Sequence, residues 1–420
     1  MSSVANQWRR LSAEEVSEDA LLPCLRRGAW LAALLRLTQV FLNICRYFFL
    51  AGLICFGASY AIPPGLPFSL VTSHGQDLPT FDFSSWIASG QAAKAGGNPY
   101  LVYPLTYMVR VGNTYVPAPN LNPPISVLVF QSIADAPLDL TFRAWHLISF
   151  ILFLASVMLL VSSYPRFATR RRLLWTFALT GLWSTLQQGQ IYMPMLLAVA
   201  GAWLLLQRQN QFAAGILIGV VVAIKPNFLV WPGLLFIGGY ATAALSACVT
   251  AALLSAWPAL VYGPLIYVEW LKVSTSFPGI IYAGNGSLIS LAGRLGMEKV
   301  GVIMSVLLLV AIGALVWRYR PTVLPLSSLA IVAALLTSPI TWVGYTIFLL
   351  PWLFSRPWNT WLRIAATLLL VPFPIVYALF DGAFWQQIVF GSFWLWALLI
   401  LLVVCVNDVR RARRSSFAVS

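Results

Sequence analysis

From Pro79 to Tyr100 the chain reads PTFDFSSWIASGQAAKAGGNPY, and Asp82 near its start is one of only 12 acidic residues among 420. Two kinds of chemistry suit it. Aspartate is a favoured helix N-cap, accepting a backbone N–H two or three residues on. Phe83, Trp86, Ile87, Ala92 and Ala93 make a helix-like apolar stripe, ended by Gly96-Gly97, that it would cap. The alternative is a carboxylate that takes a proton. Outside the tails the acids are Asp77, Asp82, Asp135, Asp139, Glu269, Glu298 and Asp381, and none is expected deep within an apolar run. Coupled transporters need intramembrane carboxylates or broken-helix sites. The census therefore argues against coupled transport and leaves a polar face outside the apolar runs as the place for a carboxylate to act.

Lys225 closes AAGILIGVVVAIKP, immediately before Pro226. A lysine in a membrane is costly and either faces a partner or polar cavity or snorkels to the headgroups. In the first case, an anionic group such as a lipid phosphate suits it. QQGQIYMP (187–194), NGSL (285–288) and TSPITW (337–342) are polar breaks at helix ends. Each alone reads as a turn.

The elements that must position these residues are mostly apolar. The chain is 60% hydrophobic and 9% charged, with mean hydropathy +0.82, whereas soluble domains carry about 25% charge. A polytopic membrane protein is implied. Apolar runs of span length fall at 38–61, 142–163, 173–187, 191–207, 212–225, 227–239, 242–262, 300–317, 323–338, 340–356, 361–379 and 389–406, twelve in all. With both termini inside, 19 of the 26 basic residues lie on the inner side and 7 outside or near the outer face. The formal net charge of +14 is then topological, and a nucleic-acid partner is not expected. Residues 1–37 read as a cytoplasmic tail without a cleavable signal, with 29–36 along the membrane surface. Residues 38–406 read as one transmembrane domain and 407–420 as a basic cytoplasmic tail. The outer segments are 62–141 and 263–299, and 122–137 reads as a half-inserted or surface-lying helix. The five cysteines and two histidines have no metal-ligand spacing; neither a metal nor a cofactor is expected.

Taken in order, the pieces resemble glycosyltransferase family 87. These are integral membrane enzymes of the GT-C class that include polyprenol-phosphate-mannose-dependent alpha-1,2-mannosyltransferases. The resemblance rests on an acid after the first span, GGNPY (96–100), NLNPPISVLVF (120–130), the stretch 188–226 ending in Lys-Pro, NGSLISLAGRL (285–295) and LTSPITW (336–342). It spans roughly residues 40–380. The resemblance implies an all-α GT-C fold of about twelve transmembrane helices, with surface-lying helices in the first outer loop. It also implies a polyprenyl-phosphate sugar donor and a catalytic aspartate matching Asp82, with Lys225 matching the family's Lys-Pro. The substrate-binding candidates are Lys225, Arg294, Asn285, Gln190, Asn98, Tyr100, Asn122, Trp342 and Tyr345. Two departures stand out: Asn122 replaces a usual tyrosine before Pro-Pro, and Val343-Gly344-Tyr345 follows SPITW where the family commonly shows histidine.

The chemistry is consistent with this. An acceptor alcohol loses its proton as it attacks the anomeric carbon, and one carboxylate suffices as general base for inversion. Retention wants a second carboxylate about 5 Å away, for which the sequence offers no obvious candidate. The leaving phosphate needs cations or N–H donors, for which Lys225, Arg294 and Arg110 are available. The expectation is an inverting transferase in a bacterial inner membrane, acting at the outer face on a lipid-linked or glycan acceptor. The alternatives are a non-enzymatic lipid-linked-sugar carrier or flippase, and a glycan polymerase or ligase.

Overall fold

Inside a bilayer the backbone N–H and C=O groups must satisfy one another, and the chain is accordingly mostly helical. The computed structural model describes residues 18–62, 81–111, 114–380 and 383–417. Helix α1 (Glu18–Ala61) is followed by α2 (Asp82–Lys94), strands β1 (Tyr107–Val111) and β2 (Thr114–Ala118), and α3 (Ile125–Gln131). Next come α4 (Leu138–Ser163), α5 (Arg170–Ala178), α6 (Thr180–Gln188), α7 (Tyr192–Gln207), α8 (Gln211–Ile224), α9 (Val230–Ile237) and α10 (Ala241–Tyr262). The rest comprises α11 (Ile266–Ser276), α12 (Leu288–Arg294), α13 (Glu298–Tyr319), α14 (Val323–Thr337), α15 (Leu350–Phe354), α16 (Thr360–Leu368), α17 (Phe373–Phe380), α18 (Phe384–Val389) and α19 (Phe393–Phe417). Tighter 3-10 turns occupy Pro226–Leu229, Pro278–Ile281 and Val343–Leu349.

The chain divides into two units, residues 1–52 and 53–420. The expected boundaries at 37/38 and 406/407 fall inside α1 and α19. Neither glycine nor proline stands between residues 29 and 51, so α1 runs unbroken through the segment expected to lie along the surface.

Five helices among the described residues are long and apolar enough to cross a membrane: Thr38–Ala61, α4, α10, α13 and Phe393–Arg411. The pair α16–α17, bent by 73°, adds a sixth if it counts as one broken span. Leu253, Leu260, Val310 and Trp317 lie exposed on these helices, a surface that suits lipid rather than water. Apolarity alone marks twelve runs; helix length separates five or six. Helices α7, α8 and α14, with the segments Pro226–Ile237 and Val343–Phe354, have only 10–17 residues, against about 20 for a hydrocarbon core. The run 173–187 is divided at Leu179 between α5 and α6.

Segment 122–137 yields only the 7-residue α3, too short to cross. The all-α expectation gives way just before it, where β1 pairs antiparallel with β2 from Tyr107 opposite Ala118 to Val111 opposite Thr114. The local cue is Gly112-Asn113 between two runs rich in β-branched and aromatic residues, a composition that favours a hairpin. Val109 and Ala118 pack on Phe277, with Leu121, Ile340 and Trp342 around them.

Helix α2 is held by both rings and hydroxyls. Trp86 meets Phe130 at 4.9 Å and Phe83 meets Phe142 at 5.4 Å. Ser84 Oγ donates to Leu105 O at 2.7 Å, and Ser85 Oγ to Ala118 O at 2.8 Å. The start of α2 is thereby fixed against the hairpin and α4.

Candidate active site

A cleft open to solvent lies where α2, β1, the 119–122 segment, α6, the end of α8 and the 342–344 segment meet. Asp82, Asn122, Gln190, Lys225 and Trp342 all line it. The structure thus brings together five of the ten residues singled out from sequence.

Asp82 does not cap its helix. Phe81 holds the N-cap position, no side chain caps the helix, and Asp82 occupies the first helical turn. That placement puts a negative charge near exposed N–H groups and leaves the carboxylate pointing elsewhere: its Oδ2 accepts a hydrogen bond from Gln190 Nε2. Burial pushes the Asp82 carboxyl up from 3.8 to about 6, a rise partly offset by the Lys225 charge. Tyr107, whose phenol burial and the Asp82 carboxylate push up to about 12, lines the same wall. Among the described residues lining the cleft, Asp82 is the sole carboxylate. No group of three or more His, Cys, Asp or Glu side chains clusters among the described residues.

Gln190 is delivered by Gly189, which ends α6 in the left-handed conformation at φ 65°. A Cβ there would lie 2.8 Å from Phe83 Cβ and 3.0 Å from Phe142 Cε2, so only glycine fits. Trp145 Nε1 donates to Gly189 O at 2.6 Å, and Gln190 N donates to Thr185 O at 2.9 Å.

Lys225 owes its position to Pro226. A residue before proline is pushed out of the helical region, and Lys225 adopts φ −137° and ψ 92°, extended, as α8 ends. Its Nζ lies 5.3 Å from the Tyr192 ring centroid and 5.5 Å from that of Tyr345. Those rings stack on each other at 4.6 Å. Gly344 permits this stack, because a Cβ there would lie 2.8 Å from the Tyr192 ring and 2.7 Å from Thr185 Oγ1. Lys225 therefore faces the cleft over two aromatic faces rather than snorkelling away, and it has no ion-pair partner among the described residues. Tyr345 serves this lysine through its ring without lining the cleft.

Asn122 is 3% exposed. Its Nδ2 donates to Asn120 Oδ1 at 3.2 Å, and that oxygen also takes the Asn122 backbone N–H at 3.0 Å. Asn122 Oδ1 is left without a protein partner.

The other candidates lie off the cleft lining, and protein groups hold their side chains. Arg294 spends its donors on Ile281 O, Tyr282 O, Asn285 O, Gly391 O and Ser392 Oγ at 2.7–3.4 Å. Asn285 donates to Pro339 O at 2.9 Å and accepts from Ser287 N and Thr341 N at 3.2 and 2.9 Å, joining the NGSL and SPITW segments. Asn98 accepts from Tyr100 N at 2.9 Å and donates to Glu269 at 3.1 Å, while Glu269 pairs with Lys272 at 2.7 Å. Tyr100 is buried against Val127 and Ile266, its hydroxyl donating to Asn122 O at 3.1 Å. Asp77 and the Arg110 side chain lie outside the described residues. Sequence reasoning missed Trp86, Tyr107, Gln188 and Tyr192 as cleft residues; of these, only the Gln-Gly-Gln and hairpin composition carried a signal.

The sequence model of glycosyltransferase family 87 matches residues 120–341, slightly more than half of the chain. The chain belongs to glycosyltransferase family 87. No curated protein and no solved structure matches it. The matched stretch of this family 87 glycosyltransferase contains Asn122, Gln190 and Lys225 and stops short of Asp82 and Tyr345. Asp82 is tied to the family core through Gln190.

Proposed function

We propose that this family 87 transferase moves a sugar, a hexose or pentose such as mannose, from a polyprenyl-phosphate donor to a hydroxyl of a lipid-linked or cell-envelope acceptor. The configuration inverts. Asp82 takes the proton from the attacking hydroxyl as the new C–O bond forms at the anomeric carbon and the bond to the phosphate breaks. Lys225 stabilises the negative charge on the departing phosphate. The observation that supports this reading best is the pairing, in one cleft, of a single carboxylate ionising near 6 with a lysine that makes no ion pair among the described residues. A base poised near working pH is what proton abstraction needs, and a lysine resting on two rings is ready for a phosphate. The reading puts the cleft at the outer face of a bacterial inner membrane with both termini cytoplasmic, following the basic-residue asymmetry.

The test is a transfer assay in membranes containing the protein, offering a panel of polyprenyl-phosphate hexoses and pentoses beside nucleotide sugars. Transfer from one polyprenyl-phosphate sugar, with the anomeric centre inverted in the product, supports the proposal. Transfer from nucleotide sugars alone, or with retained configuration, overturns it.

A further inference from the structure

Gln190 lines the cleft beside Asp82, to which its side-chain amide is bonded. It is 5% exposed, and its Nε2 reaches Asp82 Oδ2. A carboxylate bonded at one oxygen presents the other in a fixed direction. We infer that Gln190 is a positioning residue: its amide turns the Asp82 carboxylate so that Oδ1 meets the acceptor hydroxyl, and it favours the ionised form that accepts the proton. The inference rests on the reading of Asp82 as the base.

The structure around Gln190 suits a device that registers two parts of the chain. Asp82 is followed by Phe83, and Phe83 Cβ is the atom that a side chain at Gly189 would strike, at 2.8 Å. Trp145 Nε1 grips Gly189 O at 2.6 Å from α4, and the Trp145 ring lies 6.0 Å from that of Phe83. One packed contact, Phe83 against Gly189, thus fixes both the carboxylate and the amide that holds it. A ligand residue on a free loop would have no such tie. Gln190 also donates through its backbone to Thr185 O at 2.9 Å, so its position is set by α6 whether or not the side chain binds Asp82.

The other groups that face Asp82 are Lys225 at the end of α8, Tyr107 on β1 and Tyr192 at the start of α7. A substitution at 190 leaves all three in place, so a change in Asp82 titration reports the amide.

The experiment uses the purified full chain in lipid nanodiscs and dicyclohexylcarbodiimide, which labels protonated carboxyls. Labelling of Asp82 is quantified by peptide mass spectrometry as pH is varied. In the wild type the midpoint is expected at about 6. Gln190→Met keeps the length and removes the donor, and the loss of a charge-assisted hydrogen bond should raise the midpoint by about one to two pH units. Gln190→Glu keeps the shape and adds a like charge, which should raise it at least as far. If Gln190→Met is not monodisperse, Gln190→Leu removes the donor without adding a charge and gives the same reading. An unmoved midpoint in either folded variant overturns the inference. A moved midpoint beside a fully active Asp82→Asn enzyme would sink the base reading and this inference with it. An unmoved midpoint beside an inactive Asp82→Asn enzyme would sink the inference alone.

Discussion

Replacing Asp82 by Asn should produce an enzyme that is more stable and nearly dead. The carboxyl ionises at about 6 in the fold, against 3.8 in its absence. Ionisation therefore opposes folding by about 3 kcal/mol once pH is above both values. Wild-type stability from this group is fully present below about 3.8 and is lost as pH rises through about 6. Asparagine removes the charge, can still accept from Gln190 through its amide oxygen, and gives up a first-turn charge worth about 0.3–1 kcal/mol. The net expectation is a gain of about 2 kcal/mol at pH 7.5 that shrinks to nothing below about pH 4. An amide is too weak a base to take the acceptor's proton, so turnover should fall by about 10² to 10⁴. Thermal melts of both proteins in nanodiscs from pH 4 to 8, with turnover measured on the same samples, give both quantities. Near-normal turnover in a folded Asp82→Asn protein would remove Asp82 as the base. A lower melting temperature at pH 7.5 would mean that the charge supports the fold, contrary to the argument from burial.

Three further outcomes can be checked. Lys225→Met should weaken donor binding by about 10- to 150-fold, the equivalent of about 1.5–3 kcal/mol for a charge-assisted hydrogen bond; an unchanged Kd in the purified variant would retire the phosphate contact. Gly344→Ala forces a methyl to within 2.8 Å of the Tyr192 ring and should cost about 1–3 kcal/mol in thermal melts, a melting curve identical to wild type being the contrary result. A single cysteine at Ser276, in a background without native cysteines, should react with an impermeant maleimide in intact cells, and protection there would invert the topology.

The sequence pointed to five residues that line the cleft, but could not say which polar side chains were already satisfied. Asp82, Gln190, Asn122 and Lys225 were legible because each stands beside a breaker or an apolar run, where a polar group needs a reason. Arg294 and Asn285 carry the same mark, and their partners are carbonyls and N–H groups from residues as far away as Gly391 and Thr341; spacing along a chain does not show such closure. The hairpin was hidden for a different cause. Its strands are five residues each and lie between segments whose apolar helical character dominates any reading by hydropathy. The twelve apolar runs came out as helices or helix pairs, yet a run's apolarity says that it avoids water, not that it spans a bilayer.

Arg294 also constrains the order in which the chain can be assembled. Its guanidinium bonds to carbonyls of residues 281–285, made before it, and to Gly391 O and Ser392 Oγ, made almost a hundred residues later. During synthesis the early half of this shell is ready when the arginine emerges, while the late half is still unmade. Until the segment before α19 arrives, Nη1 must keep water or lipid headgroups as its partners, because a buried cation with unmet donors is costly. The α12 shell is thus complete only once the segment just before α19 is in place, so Gly391 and Ser392 close the segment on which the NGSL turn depends.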